Sequence, residues 1–183
     1  VFVYAQVIGP NLETYSSHRY LCDIVGATTL RVPIKSWQAS LKADQRQYVQ
    51  AVIPAVADFA SYLLDRLGTD EIVIYRSVTL SSGEEREIEV ARAPLENVRL
   101  DRGSINYTAT VYGYADAAGS PGTRTVAVEK IRTLTVDNSS RLRCGLNYNL
   151  RPGDICTGAG VSFTCAYVNW YVTPADQFMD VGS

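Results

Sequence analysis

Few residues in this sequence could carry out covalent chemistry, and their spacing matches no catalytic motif. His18 is the only histidine, and a Ser-His-Asp site cannot be built from Ser16 or Ser17 because adjacent residues do not give the required geometry. The sequence has no G-x-S-x-G elbow, no phosphate-binding glycine loop and no H-E-x-x-H metal motif. These observations argue against most hydrolase and nucleotide-dependent mechanisms.

Acidic residues offer the one remaining route to catalysis, because a glycosidase needs only two carboxylates. The candidates Asp101, Asp154 and Asp176 lie in turn-like contexts, where Asp commonly caps its own backbone. We therefore interpret all three as structural. An enzyme that degrades cell-wall polymers is the alternative that this interpretation leaves open.

A dense run of acidic residues lies around a predicted hairpin tip. Arg86 and Arg92 are close enough in sequence to screen the charge. We interpret the run as a solvated face that discourages pairing at a sheet edge, rather than as a metal or acid/base site. Its members are Glu84, Glu85, Glu87 and Glu89.

The four cysteines are too few and too scattered for a disulfide scaffold. Cys144, Cys156 and Cys165 are separated by 12 and 9 positions, which fits neither a C-x2-C zinc site nor a standard iron–sulfur run. We interpret them, together with Cys22, as small buried apolar side chains of a reduced compartment. A cluster on Cys144, Cys156 and Cys165 is the alternative, and no cofactor is predicted.

Three aromatic residues are the candidates for an interaction surface. Trp37, Trp170 and Tyr171 could form a sugar-stacking platform or anchor a protein interface. Because Trp170 and Tyr171 are neighbours in a predicted strand, one should face the core and the other should face outward.

The overall composition is that of a globular protein with a β bias. Hydrophobic residues make up 46% and charged residues 20% of the chain, and there are 12 tyrosines. The net charge of −2 and a pI near 5.4 provide no basic surface for nucleic acid. No apolar run approaches the ~20 residues that a membrane helix requires, so neither nucleic acid nor membrane is a predicted partner.

The positions of strands and turns predict a mainly β fold with one helix, arranged as two small antiparallel β-barrel or sandwich domains. The first comprises residues 1–115 and contains a helix over about 55–67, with Arg66 in its last turn and Gly68 as its stop. Residues 116–122 form a Gly, Ser and Pro linker, and residues 123–183 form the second domain. Asn11–Arg19 is predicted to be a loop, Pro54 is expected to end a strand, and the last strand either closes the second domain or pairs with a neighbouring subunit.

Four segments occur in an order that resembles a known family. They are SWQASL (36–41), YVQAVIPA (48–55), the stretch from EIVIYRSVTL to VRLDRG (71–103) and the tail from RPGD to DVGS (151–183). Together they resemble minor tail or tail-tip proteins, associated with the baseplate hub, of long-tailed bacteriophages.

The resemblance implies a structural virion protein without catalytic turnover. Several copies would assemble in a ring at the tail tip or baseplate and join tube, hub or fibre proteins, after assembly in the host cytoplasm. Some tail-tip proteins carry an iron–sulfur cluster on C-terminal cysteines, but the spacing here matches no such pattern, and no ligands are assigned. The alternatives are a carbohydrate- or receptor-binding virion module, a head–tail joining protein and a capsid-decorating protein.

Overall fold

The computed structural model describes residues 4–8, 11–55, 57–102, 107–116, 124–137 and 139–183. These residues form β-strands and one short helix, which confirms the predicted mainly β fold class. In chain order the elements are β1 (Tyr4–Ile8), β2 (Asn11–Val25), β3 (Thr29–Val32), β4 (Ser36–Lys42), β5 (Gln47–Ala55), α1 (Ala57–Leu64), β6 (Glu71–Leu80), β7 (Glu85–Pro94), β8 (Asn97–Arg102), β9 (Tyr107–Ala115), β10 (Thr125–Ala127), β11 (Thr133–Val136), β12 (Ser140–Cys144), β13 (Ile155–Gly158), β14 (Val161–Thr164), β15 (Tyr167–Val172) and β16 (Gln177–Gly182).

An eight-stranded sheet dominates the molecule, and all of its neighbouring strands are antiparallel. Its strand order is β11-β12-β16-β15-β4-β5-β9-β8. In β4 and β15 buried and partly exposed residues alternate along the strand, so one face of the sheet meets the core and the other faces outward. The last strand, β16, pairs with β12 on one side and β15 on the other, so it has no free edge for a neighbouring subunit.

Two smaller sheets complete the fold. The first has the strand order β1-β2-β6-β7, and β3 also pairs with β2. The second has the order β10-β13-β14, and its β10–β13 pair is parallel. Strands β7 and β5 lie close enough to bring the five-stranded sheet against the eight-stranded one.

The eight-stranded sheet takes strands from both of the predicted domains. Its central junction pairs Lys42–Trp37 of β4 with Tyr167–Val172 of β15. One cluster of buried hydrophobic residues also extends from Cys22 to Val181. The division at residues 116–122 stays a prediction, and apart from Asp116 that linker lies outside the described residues.

The helix is shorter than predicted. It ends at Leu64, and the chain continues in tight turns in which Arg66 N–H donates to the Leu63 carbonyl at 3.2 Å. Arg66 therefore lies beyond the helix, whereas Gly68 adopts φ +74°, as expected of a glycine that ends a helical segment. Val56, which lies within the range predicted for the helix, is outside the described residues. No described helix has both the length and the apolarity to cross a bilayer.

Two local predictions are wrong. Asn11–Arg19 is not a loop but the first part of β2, since it pairs with β1 at its start and with β6 further along. Pro54 does not end a strand, because β5 continues to Ala55 and pairs with β9. The ladder between β4 and β5 already stops at Val52, so the proline lies where one side of its strand has no partner.

At Gly113 strand β9 closely approaches the end of β7. A Cβ added at Gly113 would overlap the carbonyl oxygen of Pro94. Only a residue without a side chain allows the two backbones to come this near each other. The glycine thereby helps to set the distance between the five-stranded and eight-stranded sheets.

Candidate interaction surfaces

Two of the three predicted interface aromatics are in the core. Trp37 is 3% exposed and Trp170 is 1% exposed, because both occupy core-facing positions in β4 and β15. Neither ring is available to a sugar or a protein partner in this structure, which corrects their assignment as surface anchors. Tyr171 is on the outward face, and its role at an interface stays a prediction.

The two tryptophans belong instead to an aromatic cluster that joins distant segments. Tyr148 lies between them, with ring centroids 6.0 Å from Trp37 and 5.4 Å from Trp170. Tyr20 of β2 contacts Trp37 at 5.5 Å, and its hydroxyl lies 2.6 Å from that of Tyr148. Burial raises the pKa of the Tyr148 hydroxyl. The cluster thus joins β2, β4 and β15 through the loop that follows β12.

A row of aromatic and amide side chains crosses the outward face of the eight-stranded sheet. The strand register aligns the five residues on neighbouring strands from β16 to β9. The Gln38 amide donates to Gln50 Oε1 at 3.3 Å. Aromatic and amide groups on a sheet surface offer broad contact area and hydrogen bonding together. The row consists of Phe178, Tyr171, Gln38, Gln50 and Tyr112.

Arginines pack on the aromatic rings at one end of this row. Tyr171 and Phe178 stack with centroids 4.9 Å apart. The guanidinium of Arg143 lies 4.4 Å from the Phe178 centroid, and that of Arg132 lies 5.6 Å from it. Arginine and aromatic side chains are both enriched at protein interfaces.

A second aromatic group lies at the other end of the outward face. The ring of Tyr48 is 6.1 Å from that of Tyr112 and 5.2 Å from that of Tyr114. Arg46 approaches the Tyr114 ring at 5.5 Å. Sequence reasoning missed these tyrosines, although the alternation in Tyr112-Gly113-Tyr114 could have identified a strand face that carries them.

Asp180 is a buried carboxylate on this otherwise open face. Arg143 donates to it through two nitrogens, at 2.8 and 2.9 Å, and Arg141 donates at 3.1 Å. Burial by itself would raise the pKa of the Asp180 carboxyl, but the hydrogen bonds from Arg143 and Arg141 outweigh it, and the pKa is lowered. The carboxylate therefore orders the two arginines beside the aromatic row.

The three carboxylates considered for catalysis all have arginine partners. Arg99 holds Asp101 at 3.1 Å, Arg124 holds Asp154 at 2.8 Å, and Arg132 holds Asp176 at 2.6 Å. Each carboxylate belongs to a different ion pair, and their positions on β8, before β13 and before β16 do not form a paired site. This arrangement agrees with the structural interpretation of these residues.

The acidic hairpin is charge-balanced on the surface. Arg86 donates to Glu84 at 2.9 Å, and Arg92 donates to Glu89 at 2.8 Å. Glu85 forms an ion pair with Arg19 of β2, and Glu87 forms one with Arg31 of β3. The predicted screening of the acidic run by Arg86 and Arg92 is thus present in the structure.

All four cysteines are free and buried. Burial raises the pKa of the thiols of Cys144 and Cys165 to about 12 and that of Cys156 to about 11. The Cys165 thiol donates to the Tyr167 carbonyl at 3.1 Å. Among the described residues, no group of three or more His, Cys, Asp or Glu side chains is arranged to hold a metal ion.

A cleft of about 470 Å³ opens between the eight-stranded sheet and β7. Glu71 and Glu89 line it, and Arg92 forms ion pairs with both. On another wall the Arg151 guanidinium lies 5.4 Å from the centroid of the Trp170 ring. Burial lowers the pKa of Arg151. One arginine thus binds both glutamates of the cleft, and Asp116 also lines it.

Comparison with solved structures relates this fold to two proteins. A tail protein from Neisseria meningitidis MC58 matches with a TM-score of 0.53 and 7% identity, over 90% of this chain and 95% of that one. The 43 kDa tail protein of prophage MuSo2 from Shewanella oneidensis matches with a TM-score of 0.52 and 5% identity, over 91% of this chain and 96% of that one. The chain shares the fold of phage tail proteins. The resemblance stated from the sequence is thereby confirmed at the level of the fold.

Comparison at the level of sequence adds nothing to this relationship. No protein-family model matches the chain, and no curated protein matches it either. At identities of 7% and 5% the likeness to the two tail proteins lies in the fold and not in the residues.

Proposed function

We propose that this chain is a structural protein of a bacteriophage tail, without catalytic activity. Several copies assemble in a ring at the tail tip or baseplate and join tube, hub or fibre proteins. The observation that carries the proposal is the fold shared with two tail proteins along nine tenths of the chain. A fold by itself does not define a function, so the surface chemistry has to agree with it.

The outward face of the eight-stranded sheet supports an assembly role. It carries a row of aromatic and amide groups, flanked by arginines that Asp180 holds in place. Such a surface suits contact with another protein. The carboxylates that could serve catalysis are engaged by arginines instead.

Electron microscopy of virus particles tests the location. Antibodies against the purified protein would be applied to particles of the phage that encodes it, and we expect gold label at the distal end of the tail. An antibody against a major capsid protein is the control for labelling of heads. Label on the heads, or its absence from intact particles, would contradict the proposal.

Sedimentation equilibrium of the purified protein tests the assembly. We expect self-association that increases with protein concentration, because an isolated subunit would leave its contact surfaces exposed to water. A species that stays monomeric up to its solubility limit would argue against a ring made of this chain alone.

A further inference from the structure

Exposed apolar side chains are concentrated near the two edges of the eight-stranded sheet. On β11, Leu134 is 39% exposed and Val136 is 61% exposed, and on β8 Leu100 is 45% exposed. Only two other large hydrophobic residues are exposed among the side chains that the structure describes. They are Leu64 on α1, which packs beside β8, and Tyr114 on β9. Exposed apolar groups on a strand edge mark a place where another strand can add.

The backbone at both edges has no partner within the described chain. Strand β8 pairs only with β9, and β11 pairs only with β12. No other backbone hydrogen bond of the described residues reaches the outer side of either strand. The sequence of β11, Thr-Leu-Thr-Val, contains no charge or proline, and its ladder has no bulge. It therefore lacks three of the features that keep edge strands from pairing, namely a charge, a proline and a bulge.

The apolar residues of both edges project from the same face of the sheet. Val98 and Leu100 of β8 lie opposite the buried Val111 and Ala109. On β11, Leu134 lies opposite the buried Leu142. Both edges therefore extend the core-facing side, and a junction between them would continue one apolar surface.

We propose that β8 of one copy pairs with β11 of the next copy, so that the eight-stranded sheet continues from subunit to subunit. The sheet has eight strands and all its neighbours are antiparallel, so its first and last strands run in opposite directions. Two copies placed side by side with their core faces on the same side thus meet in an antiparallel pair. This contact is head-to-tail, the type that closes into a ring, and the inference rests on the ring assembly proposed above.

One register joins the apolar residues of both strands. It places Leu100 opposite Leu134 and Val98 opposite Val136. Moving one strand along the other by two residues leaves only one apolar pair. On the outward face the same register sets Arg99 opposite Thr135. Cross-strand apolar pairs of this kind stabilise antiparallel sheets.

Cross-linking between engineered cysteines tests the register. The double variant Arg99→Cys/Thr135→Cys, treated with a short bis-maleimide, should give a ladder of covalent oligomers whose largest member reports the copy number. Each single variant should give no ladder, because its cysteine then faces a residue without a thiol. The native cysteines are buried with raised pKa values and should react slowly. The control pair Arg99→Cys/Thr164→Cys uses the edge strand β14 and should give no ladder.

A charge introduced at the junction tests its contribution. Leu134→Lys should weaken self-association roughly tenfold or more, because the junction would bury an unpaired ammonium group, while Thr164→Lys should leave it unchanged. Two results would overturn this junction and leave the proposed tail function intact. One is self-association of a double variant that gives no cross-linked oligomers. The other is self-association of Leu134→Lys that is as strong as that of the native chain. A protein that stays monomeric and is not cross-linked at any concentration would overturn both the junction and the ring.

Discussion

Asp180 shows how a single buried carboxylate organises part of the outward surface. It is 2% exposed, yet its two arginine partners remain about half exposed to water. Because the arginines can be hydrated without it, removing the carboxylate costs less than breaking a fully buried ion pair. Its loss would mainly free Arg141 and Arg143 from their positions beside Phe178.

We expect Asp180→Asn to lower the free energy of unfolding by about 1–2 kcal/mol, since charge-assisted hydrogen bonds are lost. The folded-state pKa of Asp180 lies below its unfolded value. Its contribution is therefore present above about pH 4 and is lost as the pH falls through the folded pKa. Urea unfolding between pH 7 and pH 3 should show a smaller loss of stability with acid in the variant than in the native protein.

Asp101→Asn is the matched control for this prediction. Asp101 also pairs with an arginine, Arg99, but both side chains are largely exposed. Exposed pairs of this kind contribute little, so the change should leave the free energy of unfolding nearly unaltered. Equal effects of the two substitutions would show that burial of Asp180 has no energetic consequence.

At the scale of the elements, a close contact between β7 and β9 depends on Gly113. We expect Gly113→Ala to lower the free energy of unfolding by about 2–3 kcal/mol, because the added methyl group overlaps the Pro94 carbonyl and β7 or β9 must shift. Thermal and urea unfolding of the purified variant measure this change.

Gly83→Ala provides the comparison for Gly113→Ala. Gly83 has φ +86° and no neighbouring atoms near the added carbon, so its substitution costs only backbone strain, about 1 kcal/mol. If Gly113→Ala proved no more harmful than Gly83→Ala, the two sheets would have room to move apart at this point.

Local signals in the sequence predict those elements whose hydrogen-bond partners lie close by in the sequence. The β6–β7 hairpin follows from Ser81-Ser82-Gly83 between alternating runs, and its glycine has the positive φ that such turns favour. By contrast, the polar segment Asn11–Arg19 gives no local sign of a strand. It becomes part of β2 because β1 and β6 supply hydrogen-bond partners from other parts of the chain.

The candidate site was only partly predictable for the same reason. Alternation along β15 shows that Trp170 and Tyr171 face opposite sides, but not which side is the core. That choice depends on the pairing of β15 with β4, which places Trp170 beside Tyr148 and Trp37. The sequence around Trp37 does not show that its ring is buried, because the ring that covers it, Tyr148, comes from a distant part of the chain.

At the scale of the whole molecule, the shared eight-stranded sheet predicts cooperative unfolding. We expect Trp37→Phe and Trp170→Phe, each with one tryptophan left as a reporter, each to unfold in a single urea transition, because the two indoles belong to one core. Far-UV circular dichroism should follow the same curve. A fragment of residues 123–183 should lack native β-structure, since it lacks the strand that pairs with β15.

Two separate transitions would contradict this expectation. They would indicate that residues 1–115 and 123–183 fold independently, as the composition of the linker predicts. The shared sheet would then be a docking contact between two stable domains.

The junction of β4 with β15 also determines when the nascent chain can finish folding. Residues near position 40 find their partners only among residues near position 170, and contacts so distant in sequence form slowly. During translation β4 leaves the ribosome long before β15 is synthesised. In that interval one edge of β4 has no hydrogen-bond partner. A ribosome that stalls before the codons of β15 would release a chain with an open strand, which chaperones or proteases must intercept before it aggregates.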